Sequence, residues 1–437
     1  MTALERDDIQ GGVLRGYRQL DHAAYLFARV RDAGAARRAL AALADPVQAE
    51  AEWDGPDAVL NVALSFRALE RLGLPPAVLR TFPRAFREGM AARRVELDDD
   101  HDAWQPELSE LELLLTIHAR GESALEAEAA RWRAWLAVAE HGLEAVHEEQ
   151  AAVLDGDQRE HFGFTDGFGQ PAIEGAARRQ IRGQGTLIRW RPWMRECDDR
   201  VRSRTDPRWG WRALKSGEFV LGYEDEDGGL PPAPVEPFGR NATFAVWRKL
   251  RQDVAGYRAA VAGEASALGV APEWLAARIV GRWADGSPLV LRPDAADPDL
   301  GFDRERVNDF VFARDRDGLR CPLGAHVRRA NPRDAFGHAG QLTVRHRILR
   351  RGMPYGPPLG DGEAPGDVER GLVFVCYQAD IERQFEVIQR RWMRDGTGFG
   401  LGPEPDPVVG GGGRITVQGR PPRFVTGLGA HVALREI

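Results

Sequence analysis

The sequence predicts an α+β protein in which two halves repeat one cadence of strand and helix. Three observations carry this. AAYLFARV (residues 23–30) and VLNVALSF (59–66) read as strands, each followed by a helix-forming stretch. NATFAVWRKL (241–250) alternates as a strand and leads into a helix over 252–262. GLVFVCYQ (371–378) is an apolar run without polar alternation, which fits a strand covered on both faces, and a helix follows it too. There is no letter-level repeat between the halves; the duplication is one of cadence.

Each element has a local reason. Asp32 can cap the alanine-rich helix running to Ala44, and Asp45-Pro46 ends it, because proline disfavours helical geometry in the residue before it. RALERLG forms a short helix that Gly73 can terminate. YEDEDGGLPPAPVEP (223–237) is too rich in proline, glycine and acid for a regular element and marks a loop near the boundary between halves. Asp380 can cap the last helix, on which Ile381, Phe385, Ile388 and Trp392 recur at helical spacing and predict one apolar stripe facing the preceding strand. Two segments, 352–367 and 402–413, read as loop insertions, and the acidic run ELDDDHD (96–102) reads as a solvated turn. His118 and His141 lie in helix-like stretches, and His147 and His161 flank a polar turn.

Composition excludes several classes. With 437 residues, 43% hydrophobic and 29% charged, the chain is neither disordered nor collagen-like. No run approaches the roughly 18 apolar residues of a spanning helix, and the start lacks the layout of a signal peptide, so no membrane partner and a cytoplasmic location are expected. Cys197, Cys321 and Cys376 are too few and too scattered for a disulfide framework or a structural zinc site. A net charge of −7 argues against a general nucleic-acid binder. Only Lys215 and Lys249 are lysine against 57 arginines, which reflects coding bias.

Two segments stand out chemically. CPLGAHVRRANPRD contains His326, and seven arginines (328, 329, 333, 345, 347, 350, 351) against the single acid Asp334 fill residues 326–351. So much positive charge around one histidine suits an anionic ligand; it also suits a basic surface strand pair. In HFGFTDGFGQP (161–171), Gly163, Gly167 and Gly169 allow close approach of backbone to a flat ligand and put Asp166 on a tight turn. Taken alone, Asp166 reads equally well as a turn residue.

GFTDG matches the GxxDG signature of the dye-decolorizing peroxidases, a haem peroxidase family, and further segments resemble that family in order: DIQGGVLRGY, EFVLGYEDE, RKLRQDV, IVGRWADGSPLV, CPLGAHVRRANPRD, RILRRGMPYG and GLVFVCYQADIERQF. The resemblance spans nearly the whole chain. It implies two ferredoxin-like domains, each an antiparallel sheet flanked by helices, with residues 1–215 carrying GxxDG and residues 216–437 binding haem. It implies one haem b per chain with iron on His326, Asp166 as distal acid-base residue and Arg350 as distal arginine ahead of Arg351. Arg333 is expected at a haem propionate and Gly163 and Gly167 at the cofactor. Asp380 is the candidate acceptor for the second ring nitrogen of His326.

The implied reaction reduces hydrogen peroxide to water through a ferryl intermediate and oxidises dyes, phenolics or other organic reductants one electron at a time. Tyr377 and Trp392 are candidate electron relays or core packing. The second reading is haem delivery or iron release with incidental peroxidase activity, which the same pocket would serve. Phe168 departs from the small polar residue more usual in the family at its position. The oligomeric state is not legible in the sequence.

Overall fold

The computed structural model describes residues 3–435 except 52–53, 100–110, 155–157, 177–180, 190–201, 205–207, 338–339, 361–367, 412–413, 420–421, 427 and 429–431. Cys197 and most of the acidic run after Asp99 therefore lie outside the described residues.

In the first half, β1 (His22–Val30), β2 (Ala58–Leu64), β3 (Leu113–Ala119) and β4 (Leu143–Ala152) form an antiparallel sheet in the order β2-β3-β1-β4. Helix α1 (Ala33–Leu43) follows β1, and α2 (Glu122–Leu136) follows β3. Asp32 starts α1 as expected, its carboxylate accepting from the Ala35 N–H at 2.6 Å. Side chains alternate across β1. Ala24, Leu26 and Ala28 face the helices and join Leu43, Trp132 and Leu136 in one core. Ala23, Tyr25 and Phe27 face the other way, onto Met353, Tyr355, Val373 and Val375 of the second half. Both faces are covered from Ala23 to Ala28, which is why those six positions carry no charged side chain; each fully buried leucine here contributes roughly 1.5–3 kcal/mol. His118 is in β3, not a helix: its ring is buried 5.2 Å from that of Tyr17, and burial pushes its pKa down to about 4. His147 lies in β4 and His141 in a 3-10 turn.

A connection carrying the small hairpin β5 (Thr186–Arg189) and β6 (Trp209–Arg212) leads to the second half, and the expected boundary at residues 215/216 falls within this connection. Strands β7 (Phe244–Gln252), β8 (Leu349–Arg350), β9 (Met353–Tyr355) and β10 (Gly371–Gln378) follow. A hairpin, β11 (Ile415–Val417) with β12 (Arg423–Val425), precedes the last strand, β13 (Val432–Arg435). The second sheet runs β13-β7-β10-β8, with β9 also on β10. Counting β8 and β9 as one position, its order is fourth, first, third, second, the first sheet's order read from the opposite edge. Helix α3 (Val254–Leu268) follows its first strand, as α1 does in the first half. The duplication is therefore real at the level of topology. Both sheets are antiparallel and flanked by helices.

The second half differs by a long insertion between α3 and β8, containing α4 (Pro272–Val280) and α5 (His326–Ala330). Its second crossover helix, α6 (Glu382–Met393), is a π-helix: Glu386 N–H donates to Ile381 O at 3.0 Å and Arg394 N–H to Gln389 O at 3.2 Å. The wider turn splits the expected stripe. Phe385 meets Phe374 of the sheet at 6.2 Å, while Trp392 turns onto Phe336 at 6.0 Å. Among the described residues no helix is long and apolar enough to cross a membrane.

Candidate functional site

The two faces of the second sheet do different work. Val373 and Val375 pack on the first sheet, whereas Arg248, Leu250 and Gln252 of β7 and Leu372 and Phe374 of β10 line a cavity of about 330 Å³. Antiparallel pairing sets Leu372 opposite Leu250 and Phe374 opposite Arg248 on that cavity face. His326, Asp166 and Arg350, from three separate parts of the chain, all line the same cavity.

His326 is the first residue of α5. The preceding turn packs on the end of α4 at Gly281, whose φ is +96° and where a Cβ would lie 2.4 Å from Val327 Cγ2; only glycine lets the two segments meet. The ring Nδ1 lies 3.1 and 3.2 Å from the two carboxylate oxygens of Asp406. Asp406 is fully buried and also accepts from Val408 N–H at 2.8 Å and Val409 N–H at 2.9 Å. Burial alone would raise its pKa, but the His326 charge and hydrogen bond, the Val409 N–H and Arg329 together hold it below the usual carboxylate value. On His326 burial pulls down, and the Asp406 charge and hydrogen bond outweigh it and raise the pKa. With an anion against Nδ1, that nitrogen carries the proton, and Nε2 is the nitrogen left for a ligand in the cavity.

This corrects the expected acceptor. Asp380 caps α6, accepting from Arg383 N–H at 2.9 Å, and the partner of His326 is Asp406, from the 402–413 loop that reads as an insertion. Its one local signal is an acid followed by two valines whose N–H groups turn back onto it. Asp406→Asn is expected to lower activity about 10–100-fold, the range for an outer partner of a metal-ligating histidine, and kcat/KM of the variant checks it.

Asp166 is placed by its own N–H donating to Gln158 O at 2.9 Å and by Thr165 N–H donating to Ala284 O at 3.2 Å. Its Oδ1 accepts from Gly167 N–H at 2.6 Å and lies 3.3 Å from an Arg350 guanidinium nitrogen. The Asp166 side chain is 47% accessible, but that surface faces the cavity, so the group is deep in the protein. Burial is the largest influence and acts upward; the Arg350 charge, the Gly167 N–H and the His326 charge together outweigh it and hold Asp166 below the usual value. Arg350 sits on β8, its N–H donating to Gln170 Oε1 at 3.0 Å. The next residue alternates away: Arg351 donates to Gly12 O at 2.7 Å and Val13 O at 2.9 Å and clamps the N-terminal segment. Gly163 and Gly167, expected at the cofactor, are not among the cavity-lining residues; their φ values of +93° and +83° account for glycine there, and Gly169 is the glycine on the wall.

The arginine-rich segment divides by role. Arg328 and Arg329 are buried and structural, donating to Asp315 and Cys321 O, and to Gly324, Trp392 and Glu404 carbonyls, respectively. Arg345 pairs with Asp227. Arg333 and Arg347 line the cavity, joined by Arg282 from the insertion. Arg333 donates to the Gly183, Asn308 and Phe310 carbonyls at 3.0–3.1 Å, and Arg282 to Gly286 O and Asn308 Oδ1. Among the described residues none of these three forms an ion pair with a carboxylate. Burial pushes Arg282 and Arg347 down to about 10 and Arg333 well below its usual value. Guanidiniums buried without an anion mark a place for one.

Phe168, which the sequence marks as a departure from the family, and Asp99, which it reads otherwise, complete the wall. Phe168 lies with its ring 5.7 Å from the Arg282 guanidinium and over Gly286, where a Cβ would stand 2.4 Å from it. Asp99, expected in a solvated turn, is buried on the cavity wall and pairs with Arg248 at 2.6 Å; Asp98 turns the chain inward with φ +54°. Of the candidate relays, Tyr377 is half-buried in β10 and Trp392 is buried on α6, and neither is among the cavity-lining residues.

Among the described residues no three His, Cys, Asp or Glu side chains could share a metal ion. An apolar cavity, one imidazole and unpaired guanidiniums suit a flat apolar macrocycle with carboxylate substituents.

The chain is similar to known proteins in sequence and fold. The family model for Dyp-type peroxidase, C-terminal, matches residues 298–399. A dye-decolorizing peroxidase of Mycena epipterygia is 28% identical over 464 residues, covering 99% of this chain and 80% of its own. Dye-decolorizing peroxidase msp1 of Mycetinis scorodonius is 31% identical over 310 residues, 67% of this chain and 54% of that relative's length. The solved structure of a dye-decolorizing peroxidase in complex with 2,6-dimethoxyphenol superposes with a TM-score of 0.81 at 26% identity, covering 99% of this chain and 96% of that one.

Proposed function

The chain belongs to the dye-decolorizing peroxidase family, and from that premise we propose that it is a haem-dependent peroxidase that reduces hydrogen peroxide to water and oxidises dyes, phenolics or similar organic reductants. The observation that carries this reading is the placement of His326, backed by buried Asp406, and the Asp166–Arg350 pair on one apolar cavity. His326 would hold the haem iron through Nε2, and Arg333, with Arg282 and Arg347, would face the propionates. Bound haem supplies a redox-active iron with one open coordination position for peroxide.

The chain's own residues handle the protons and charge. Asp166, kept ionised by Arg350, would accept the proton of one peroxide oxygen and return it to the other, which leaves as water. Arg350 stabilises the negative charge that grows on that oxygen while the O–O bond breaks. Asp406 holds His326 in one tautomer and makes it a stronger donor. Burial of the walls excludes bulk water and strengthens both effects.

Two measurements test the reading. Protein supplied with haem should show a Soret band and then oxidise a methoxyphenol only when peroxide is present; binding without turnover would favour haem handling, and no binding would overturn both. Arg350→Leu is expected to slow turnover by about 10²–10³-fold, as for removal of one donor from a site of developing charge. Peroxide titration of kcat/KM checks this.

A further inference from the structure

Reducing hydrogen peroxide to two waters consumes two electrons and two protons. The proton that Asp166 takes from one peroxide oxygen and returns to the other is internal, so both consumed protons must enter the cavity from elsewhere. A second carboxyl on the cavity wall is placed for this. Glu160 opens the turn that carries Asp166: Glu160 N–H donates to Phe164 O at 3.0 Å, and Gly163 N–H to Glu160 O at 2.8 Å.

Its surroundings are the reverse of those of Asp166. Oε2 accepts from Gln252 Nε2 at 2.6 Å and Phe162 N–H at 2.9 Å, and Oε1 from Phe164 N–H at 3.0 Å. These partners are all uncharged. The charged group whose field raises it is Asp166 on its own turn, and Tyr257 of α3, kept un-ionised by burial, lies close enough to feel the Glu160 charge in turn. Burial, reinforced by the Asp166 charge, raises Glu160 above its ordinary value despite those hydrogen bonds, while Asp166 is held below its own. Gln252 tolerates either form, because its amide can donate to a carboxylate or, turned over, accept from an acid. Two carboxyls on one wall with opposed environments divide the work of base and acid.

We propose that Glu160 is the proton store of the cavity, passing its proton through cavity water to the Asp166 carboxylate and being reprotonated from solvent. Each transfer leaves Glu160 as carboxylate and Asp166 as acid, so charge is conserved, and two transfers per peroxide complete the count. The inference rests on the peroxidase reading and extends it to the supply of protons.

The test uses the haem-loaded wild type, E160Q and the exchange E160Q/Q252E. Infrared titration of the protein without peroxide should show a protonated carboxyl, absent from E160Q, that ionises above the ordinary glutamate value of 4.5. E160Q should turn over on the order of tenfold more slowly in weakly acidic buffer, less than the ~10²-fold expected of a group that transfers its proton directly, with the deficit shrinking as pH falls. Wild-type activity should decline as pH rises through the Glu160 ionisation, a limb E160Q lacks, and the exchange variant should recover part of the rate. An E160Q deficit that is equal at every pH and not recovered by the exchange would make Glu160 a tether of the turn and overturn the proposal, as would an unchanged E160Q or ionisation at or below 4.5. Absence of turnover in the wild type is a different result: it would sink the peroxidase reading and this proposal with it.

Discussion

Asp166→Asn is expected to slow peroxide-dependent oxidation by about 10²–10⁴-fold while leaving haem binding intact, the range for loss of a positioned general acid-base. The amide is nearly isosteric, and its oxygen can still accept from Gly167 N–H and meet Arg350, so the wall keeps its shape. It cannot accept the peroxide proton. On the proposed mechanism the reactive form is the carboxylate, and a group whose pKa is held below its unfolded value of 3.8 stays ionised into more acidic solution. The acid limb of kcat/KM should therefore lie below the ordinary aspartate range, with the activity optimum on the acidic side of neutrality. A profile peaking above neutrality, or a variant within a few-fold of wild type, would refute the assignment.

His326→Ala is expected to remove haem ligation, since the described residues of the cavity offer no second imidazole or cysteine, and turnover should fall to background. The spectrum after haem addition checks it, and retention of a wild-type Soret band would overturn the ligand assignment. The same change disturbs the protein without haem. Asp406 remains fully buried but loses its imidazole partner, a hydrogen bond to a charged group of about 1.5–3 kcal/mol, so the melting temperature should drop. The pH dependence has a definite sign. The depressed pKa of Asp406 stabilises the fold above its unfolded value of 3.8, and that stability is lost as pH falls through the lower folded value; the raised pKa of His326 contributes below 6.5 and is lost as pH rises through the higher folded value. In His326→Ala the imidazole contribution disappears and that of Asp406 shrinks to what the Val409 N–H and Arg329 sustain, so the dependence of stability on pH flattens at the upper end and weakens at the lower.

Much of the fold is legible locally. The uninterrupted apolar run of β1 reports two covered faces, and Asp32 caps α1 through a bond three residues away. Such features depend on near neighbours and on a period of two or 3.6 residues. His118 shows the limit. Its stretch reads as helix-like, until pairing with β1 and β2 claims it as a strand. α6 shows another: α-helical spacing put four apolar residues on one stripe, and π hydrogen bonding sends Trp392 elsewhere.

The candidate site divides along the same line. Sequence by itself determined the family resemblance, picked out His326, Asp166 and Arg350, which line one cavity, and showed the concentration of arginine around them, because each is carried by a contiguous motif. Tertiary structure decided which groups complete the chemistry. Asp406 lies 80 residues beyond His326 and Arg282 lies 44 before it, yet one meets the imidazole and the other lines the same cavity. Asp99 comes to the wall from an acidic run of the first half, and Glu160 shares it with Gln252 of the second sheet. Whether a buried charge is paired, orphaned or set beside a like charge depends on strands and loops distant in sequence, and distance in space, not along the chain, sets its pKa and its use.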